Sequence, residues 1–463
     1  MNPISLFVQQ SLQTGVAISF LVRRELGKKK KRDCKIHYVR RPELETSDDK
    51  LAWLSAVPAS AAKFEVVKPD AKANWINQTE NDWDDLLPVS DKKTKAAKVK
   101  SQERAIFKLD SLGVVTARDD WVTDRSKAAL KEKVNRLVKV YESSRKAKSK
   151  TTDLGIDIKW SRAVKADLNK NKPLSTADGL FGSVAYRAFS KREIFYSRRV
   201  NEMIYKNDEI YPISGTWANQ SIVYNRNANP FWCLSTDILP DYHFTGDGVQ
   251  LPRHRYTSDG EKLDNITDWA FNKFTVHYGK KSKITKDEIF AYVYAVLHDP
   301  IYRETYAINL KREFPRIPFY PDFHQWRDWG QTLLDLHIGY ETVKPFNLKR
   351  TDVEDAKAAK AGLTPKVTLK ADKDAGTITL DSETTMSGIP PQCWDYKLGN
   401  RSGLEWVLDQ YKEKTPKDPT IRAKFNTYRF ADYKEDVVDL LKRVTRVSVE
   451  TMQVTEAMKQ ARR

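Results

Sequence analysis

The sequence has little cysteine and no long apolar run, and these shortages exclude several classes of protein. Its three cysteines, Cys34, Cys233 and Cys393, lie far apart and form no C-x-x-C pair. That spacing excludes a zinc ribbon and favours reduced thiols in a cytoplasmic protein. The apolar run at residues 15–22 is too short to span a bilayer, so no membrane partner is expected there. We also expect no secretory signal, because no basic segment precedes an apolar one at the N-terminus.

Several catalytic signatures are missing as well. The sequence contains no G-x-x-x-x-G-K-[ST] loop to cradle the phosphates of ATP. It contains no Glu-x-Lys, which argues against the carboxylate–lysine arrangement usual in restriction nucleases. The histidines lack H-E-x-x-H spacing, so we expect no zinc hydrolase and assign no metal ligands.

Positive charge is what the sequence has in excess. There are 80 Lys and Arg against 62 Asp and Glu, which gives a formal net charge of +18 and a pI near 9.4. This excess favours a polyanionic partner, either nucleic acid or, less strongly, an anionic membrane surface. Hydrophobic residues make up 40% of the chain and aromatic residues 11%, which is enough for a globular protein with two or three cores.

The stretch from residue 185 to residue 199 concentrates this charge. Its sequence, AYRAFSKREIFYSRR, contains five cations and four aromatic residues. Cations neutralise phosphates, and planar rings stack on bases. The alternative is an amphipathic strand pair whose rings are core and whose charges are solvated. We expect residues 190–192 and 197–199 to face phosphate, and Phe195, together with Tyr196, to anchor the strand to its own core.

Hydrophobic periodicity predicts the local structure of other segments. Residues 15–22 and 34–39 predict a β-hairpin with a charged loop. Helices are predicted at residues 92–106, 127–141, 323–338 and 434–459. Capping boxes at Thr285 and Ser402 each predict the start of a further helix. Residues 143–152 lack large apolar side chains and are the best candidate for a linker.

Two short motifs look like parts of an adenine methyltransferase site, and we reject both. Residues 244–248 fit F-x-G-x-G, the glycine turn under S-adenosylmethionine, and residues 229–232 come close to N-P-P-[YFW], which holds a flipped adenine. Only the short run 233–243 separates them, whereas that fold needs a helix and strands between the two motifs. The sequence after Gly248 is a poor helix start, yet the glycine turn needs a helix N-terminus behind it. No cofactor-binding residue is therefore assigned in this chain.

Longer blocks of sequence carry a resemblance to a known family. Those in the first part are QTGVAISFLV (13–22), HYVRRPELET (37–46), NWINQT (74–79) and QERAIFKLDSLGVVT (102–116). Those in the second part are YRAF (186–189), TDILPDYHF (236–244), TDWAF (267–271) through RIP (316–318), LGNRSGLEWVLDQY (398–411) and VSVET (447–451). Together they resemble the C-terminal part of type ISP restriction–modification enzymes, which combine nuclease, helicase, adenine-specific DNA methyltransferase and target recognition domain in one chain.

The resemblance implies an α/β chain of the mixed α+β kind with two domains. Residues 1–150 look like the C-terminal portion of the methyltransferase domain, a remnant of a Rossmann-like sheet without the cofactor and catalytic motifs. Residues 151–463 look like the larger target recognition domain. No catalytic residue carries over, and S-adenosylmethionine is implied only for the complete enzyme. The implied partners are double-stranded DNA and a methyltransferase–helicase core on a separate or upstream chain.

The first hypothesis is therefore a specificity domain that reads double-stranded DNA for an adenine-specific methyltransferase of a type ISP system. The residues predicted to bind DNA are Tyr186, Arg187, Phe189, Lys191, Arg192, Arg198, Arg199, Asn400 and Arg401. Tyr186 and Phe189 are expected to support the basic surface or to stack. A second hypothesis is a split or truncated methyltransferase that becomes active when a partner chain supplies the missing motifs. A third is a remnant without function.

Overall fold

The computed structural model describes residues 18–21, 34–41, 45, 47–70, 73–76, 78–79, 81–211, 218–226 and 230–463. The chain divides into two units, Met1–Glu80 and Asn81–Arg463. The first unit contains strand β1 (Ile36–Tyr38), helix α1 (Ser47–Ala56) and strand β2 (Glu65–Val67), and the two strands pair antiparallel.

The hairpin predicted for residues 15–22 and 34–39 is wrong in its described part. The strand Ile36–Tyr38 pairs with Glu65–Val67, and residues 18–21 are irregular, with Phe20 and Leu21 exposed. Strand β1 takes its partner from β2, which follows α1 in the chain, and the described residues 18–21 do not pair with it. The rest of the predicted first strand lies outside the described residues.

The second unit holds the remaining elements. Its strands are β3 (Leu87–Pro88), β4 (Ser111–Leu112), β5 (Thr123–Asp124), β6 (Leu180–Arg187), β7 (Ser190–Tyr196), β8 (Ser221–Asn225), β9 (Cys233–Thr236), β10 (Gly248–Pro252), β11 (His254–Tyr256), β12 (Lys262–Asp264), β13 (Arg316–Ile317), β14 (Lys349–Asp352), β15 (Val367–Asp372), β16 (Thr377–Asp381), β17 (Thr384–Ser387), β18 (Lys397–Leu398) and β19 (Arg401–Ser402). Its helices are α2 (Lys92–Ala96), α3 (Asp119–Val122), α4 (Lys127–Lys146), α5 (Arg162–Asn169), α6 (Asp268–Tyr278), α7 (Lys286–His298), α8 (Pro300–Thr305), α9 (Ala307–Leu310), α10 (Phe323–Ile338), α11 (Ala356–Ala361), α12 (Gln392–Asp395), α13 (Gly403–Tyr411), α14 (Pro419–Lys424) and α15 (Lys434–Lys459).

The strands form several small antiparallel sheets. The larger ones have the strand orders β4-β10-β8-β9, β5-β7-β6 and β14-β17-β16-β15. Together with the helices they confirm the mixed α+β class. The Rossmann-like remnant and the origin of residues 1–150 in a methyltransferase domain stay predictions, since packing does not reveal which enzyme a segment came from.

Helix α7 forms the centre of the largest core. Every residue from Ile289 to His298 is buried, and α10 packs closely against this helix. The approach depends on Gly330, because a Cβ atom at that position would lie only 1.9 Å from the carbonyl oxygen of Ala291. The backbones of α7 and α10 are therefore in direct contact.

A second core joins the start of this unit to a segment near the end of the chain. Trp121 on α3, Leu130 and Leu137 on α4, and Ile421 on α14 belong to one buried cluster. The indole Nε1 of Trp121 donates a hydrogen bond to Asp418 at 2.8 Å. Almost 300 residues of chain therefore lie between two parts of the same core.

Most of the predicted helices are confirmed. Helices α10 and α15 have the predicted bounds, and the capping boxes at Thr285 and Ser402 begin α7 and α13. Helix α4 begins as predicted but continues to Lys146, into the segment predicted as a linker.

The helix predicted at residues 92–106 is wrong in length, because α2 ends at Ala96. Beyond it the chain turns extended at Ala97, and Phe107 donates its backbone N–H to Val89 at 2.9 Å. The burial of Ile106 and Phe107 in the largest core stabilises the extended chain here. This stabilisation outweighs the tendency of the preceding lysines to continue the helix.

Candidate nucleic-acid interface

Strands β6 and β7 form a hairpin from the charged stretch, and its turn is anchored in the core. Phe189 in the turn has a backbone φ of 53°, a left-handed conformation that costs a bulky residue about 1 kcal/mol. Its side chain is only 1% exposed and meets the ring of Tyr340 edge-on at 5.2 Å. In this structure Phe189 is a core residue, and its ring has no surface on which a base can stack.

Tyr186 lies between two guanidinium groups on this hairpin. The carbon centres of Arg192 and Arg187 lie 3.8 and 4.0 Å from the centroid of its ring, within the range of cation–π attraction. Burial raises the pKa of Tyr186 to about 12, so its hydroxyl stays protonated and donates to Asp119 at 2.9 Å. Burial also lowers the pKa of Arg192. The three side chains form one internal stack.

Two carboxylates, the buried Asp241 and the half-buried Asp119, complete this stack. Arg187 donates to Asp241 at 2.7 Å and lies 3.8 Å from Asp119. Burial raises the pKa of Asp241 against the attraction of Arg187. Burial opposes the charge of Asp119 too, but hydrogen bonds from Thr116 and Tyr186 hold its pKa below the usual value. The charge of Arg187 is thus compensated inside the protein.

The other cations of the hairpin also have acidic partners. Lys191 pairs with Glu341 at 2.8 Å, and Arg199 pairs with Asp167 on α5 at 2.5 Å. Arg198 pairs with Asp208, but its side chain remains 65% exposed. A phosphate would have to displace these carboxylates or share the cations with them, most easily at Arg198.

Asn400 and Arg401 lie on a second, smaller hairpin. Strands β18 and β19 are joined by a turn in which Gly399 has a φ of 73°, a conformation that favours glycine. Asn400 is exposed in this turn. Arg401 lies over the ring of Trp406 at 5.0 Å and 3.7 Å from Asp409. The pair thus stands directly before the capped N-terminus of α13.

The structure brings some of the predicted DNA-binding residues together and separates others. A Cβ atom at Gly403, the first residue of α13, would lie 3.0 Å from the Phe189 ring. The turn of the β6–β7 hairpin therefore lies beside the segment that carries Asn400 and Arg401. Arg198 and Arg199 follow the far end of β7, roughly 20 Å away at strand spacing. Whether any of these residues binds DNA stays a prediction.

Helix α4 carries further cations that are not among the predicted DNA-binding residues. Lys127, Lys131, Lys139 and Lys146 are exposed, and we call them the lysine stripe. In the described part of the chain, none of their amines has a carboxylate within ion-pair distance, whereas the neighbouring cations Lys133, Arg136 and Arg145 are all paired. A sequence signal was present, since these lysines avoid the apolar positions from Leu130 to Tyr141 that predicted the helix.

The rejected cofactor motif, residues 244–248, leads directly into a strand. Gly248, the last residue of the F-x-G-x-G match, begins β10, whose residues are all buried. A strand thus follows the glycines where a cofactor turn needs a helix. Asn229 of the second motif lies outside the described residues. None of the described helices is both long and apolar enough to cross a membrane.

Comparisons with known proteins give a consistent result. A family described as the Type ISP C-terminal specificity domain matches residues 105–440. A cryo-EM structure of a DrdV–DNA complex superposes with a TM-score of 0.86 at 47% identity, over 91% of this chain and 43% of that one. Comparison with curated protein sequences gives no match.

Two further solved structures are similar over most of this chain. One is a nuclease-deletion mutant of the Type ISP restriction–modification enzyme LlaGI in complex with a DNA substrate mimic, with a TM-score of 0.75 at 25% identity, over 92% of this chain and 33% of that one. The other is the ATP-dependent Type ISP enzyme LlaBIII bound to DNA, with a TM-score of 0.73 at 24% identity, over 86% and 26%. This chain thus spans less than half the length of each of the three.

Proposed function

This chain belongs to the family of Type ISP C-terminal specificity domains, and from that premise we propose that it recognises a specific sequence in double-stranded DNA for a Type ISP restriction–modification system. The observation that carries the proposal is the similarity to the DrdV–DNA complex, at 47% identity over 91% of this chain. The net charge of +18 supports the same partner, since phosphate neutralisation drives DNA binding.

Within this function we divide the predicted residues into two groups. Arg187 and Arg192 are half-buried on the two sides of the buried Tyr186, and Phe189 fills the core, so these four hold the hairpin in shape. Arg199 ties the far end of the hairpin to α5 through Asp167. The supporting group gives the more accessible side chains a rigid base, which lowers the ordering cost of binding.

The more accessible group is proposed to contact DNA, and it comprises the exposed residues Arg198 and Asn400 and the half-buried residues Lys191 and Arg401. The ion pair of Arg198 with Asp208 is largely exposed, and such pairs contribute only about 0–1 kcal/mol. Exchanging Asp208 for a phosphate therefore costs little. Arg401 is held in place by Trp406, and a positioned guanidinium can read the O6 and N7 acceptors of guanine in the major groove.

The remaining activities of the system are proposed to belong to another part of the enzyme. A methyltransferase–helicase core, on a separate chain or in a longer form of this one, would bind S-adenosylmethionine and methylate adenine. The split-enzyme hypothesis remains an alternative, in which a partner chain completes an active methyltransferase with residues of this chain. A DNA-modifying role also leads us to expect a cytoplasmic location.

Selection from a random duplex library tests the proposed recognition. The purified chain is expected to enrich one short motif at 0.15 M salt and to bind it about 10³-fold or more tightly than random duplex. Arg401→Ala should relax the preference at one position of the motif, by about 1–3 kcal/mol. Lys370→Ala, an exposed lysine on β15, is the matched control and should leave the motif unchanged. Enrichment of no motif, with binding to all duplexes alike, would refute sequence recognition.

A further inference from the structure

Half of the excess positive charge lies in one tenth of the chain. Residues 127–172, which contain α4 and α5, hold fourteen Lys and Arg against five Asp and Glu, a formal charge of +9 out of +18. A surface that concentrates charge in this way attracts a polyanion more strongly than the same charge spread over the molecule.

Three of the five acidic residues of this segment are already engaged with other cations. Glu142 pairs with Arg145, Asp157 with Arg136, and Asp167 with Arg199. In the described structure no member of the lysine stripe forms an ion pair, and only Lys146 lies near enough to Glu142 to lower the pKa of that carboxyl. Two members of the lysine stripe, Lys127 and Lys131, stand four residues apart on the helix, where like charges repel each other by a few tenths of a kcal/mol.

The lysine stripe forms a straight row of positive charges along one side of α4. At 100° per residue, its four members fall within about a third of the helix circumference, on the side exposed to solvent. From Lys127 to Lys146 the helix rises about 28 Å. That length matches about eight base pairs of duplex, at 3.4 Å for each phosphate of one strand.

A second long helix of the same chain shows that such a stripe is not simply what an exposed helix carries. Helix α15 has five Lys and Arg and five Asp and Glu. Four of its five cations form ion pairs, three of them within the helix, as in Arg443–Asp439 and Lys459–Glu456. By contrast, α4 has seven Lys and Arg against two Glu.

Helix α4, which carries the lysine stripe, lies close to strand β7 of the proposed DNA-contacting hairpin. Arg199 at the end of β7 pairs with Asp167 on α5. Tyr141 on α4 in turn donates to the backbone carbonyl of Lys172, just after α5, at 2.7 Å. Helix α4 and the segment that follows β7 are thus both in contact with α5 or with the residues just after it.

We propose that the lysine stripe of α4 docks against the sugar–phosphate backbone of the bound duplex and supplies sequence-independent affinity. The proposal rests on the proposed function for its partner, but it assigns a different task to a different surface. Base discrimination belongs to the more accessible hairpin residues, while the lysine stripe adds binding energy to every duplex alike.

The test removes the four charges together and measures the salt dependence of binding. In the variant Lys127→Gln, Lys131→Gln, Lys139→Gln and Lys146→Gln, glutamine keeps the helix propensity of lysine. The matched control is Lys357→Gln, Lys360→Gln, Lys366→Gln and Lys370→Gln, which removes four exposed lysines on and near α11 and β15. Affinities are measured from 50 to 300 mM salt on random-sequence duplex and on any duplex enriched by selection. Circular dichroism melts check that both variants remain folded.

The lysine stripe variant is expected to bind both duplexes more weakly by the same factor, about tenfold or more at 0.1 M salt. Its plot of log affinity against log salt should become shallower by about three to four units, while the control stays close to wild type. Equal changes in the two variants, or an unchanged slope, would overturn the proposal. So would loss of binding to phosphatidylserine vesicles with DNA binding intact. If the wild type shows no sequence preference while the lysine stripe variant still loses slope, the proposed function fails and this proposal stands.

Discussion

The β6–β7 hairpin and helix α4 both carry a dense run of Lys and Arg, and they use that charge in opposite ways. On the hairpin, Arg187, Lys191, Arg198 and Arg199 each face a carboxylate, and Arg192 is stacked on Tyr186. On α4 the lysine stripe faces solvent. A cation is therefore available to a ligand according to which carboxylates the fold places beside it, whatever the local composition.

The largest expected effect tests whether the hairpin is a structural element. Phe195 on β7 is fully buried and packs against Phe181 at a ring distance of 5.0 Å. Phe195→Ala should lower the free energy of unfolding by about 3–5 kcal/mol, since it removes the ring and leaves a cavity. Urea unfolding measures the loss, and Phe195→Leu should show a smaller one. An unchanged midpoint would mean that the hairpin contributes little to the fold.

Acid should weaken the core beneath the hairpin turn and leave the lysine stripe charged. His337 stacks on Tyr396, whose ring lies 6.3 Å from Phe189, and burial lowers the pKa of His337 to about 3. Because the unfolded histidine protonates near pH 6.5, its stabilisation is complete above that pH and declines as the pH falls towards 3. Unfolding free energy should drop by about 2 kcal/mol between pH 6.5 and pH 5 for this residue.

The control for this pH effect is His337→Gln, compared by its pH slope and not by its absolute stability. The variant should lose part of the acid sensitivity but keep the share of His298, whose pKa burial also lowers. An identical slope in wild type and variant would show that His337 is not the group responsible.

Arg199→Ala tests the division between supporting and contacting residues. If residues 197–199 face phosphate, as their sequence predicts, this change costs DNA affinity without unfolding the domain. With its guanidinium on Asp167 at 2.5 Å, we now expect a loss of about 1 kcal/mol in stability and little change in the salt slope. Melting curves and titrations on random duplex measure the two quantities. A shallower salt slope with unchanged stability would show that Arg199 contacts DNA.

The smallest expected effect on stability is at the adjacent residue. Arg198→Ala removes an exposed ion pair and should change the unfolding free energy by less than about 1 kcal/mol. Its salt slope should become shallower by about one unit, as for the loss of one phosphate contact. The neighbouring residues 198 and 199 thus serve as controls for each other, and the same change in both would erase the distinction between them.

The elements that sequence reasoning found well are those whose signals are local. The capping boxes at Thr285 and Ser402 lie three residues from their glutamates, and the periodicity of α10 repeats within sixteen residues. The ion-pair partners of the hairpin could not be found in this way. Asp241 lies 54 residues from Arg187, and Glu341 lies 150 residues from Lys191.

The lysine stripe illustrates an intermediate case. The spacing of its lysines can be found in the sequence. Whether acidic side chains lie beside them depends on the positions of Asp157 and Asp167 in the tertiary structure. The same limit explains the helix predicted at residues 92–106, since the partners that hold Phe107 extended come from Val89 and the main core. Local patterns thus predicted elements, while the choice between structural and functional cations required the tertiary structure.

The hydrogen bond between Trp121 and Asp418 has a consequence for how such domains can be recombined. Because α3 and α4 share a core with α14, the segment before residue 150 and the segment after it stabilise each other. A chimera joined at residue 150 would pair two halves of a core that were never selected together. A chimera joined near residue 80 would keep that core intact. It would transfer the hairpin, the lysine stripe and the turn at Asn400 together.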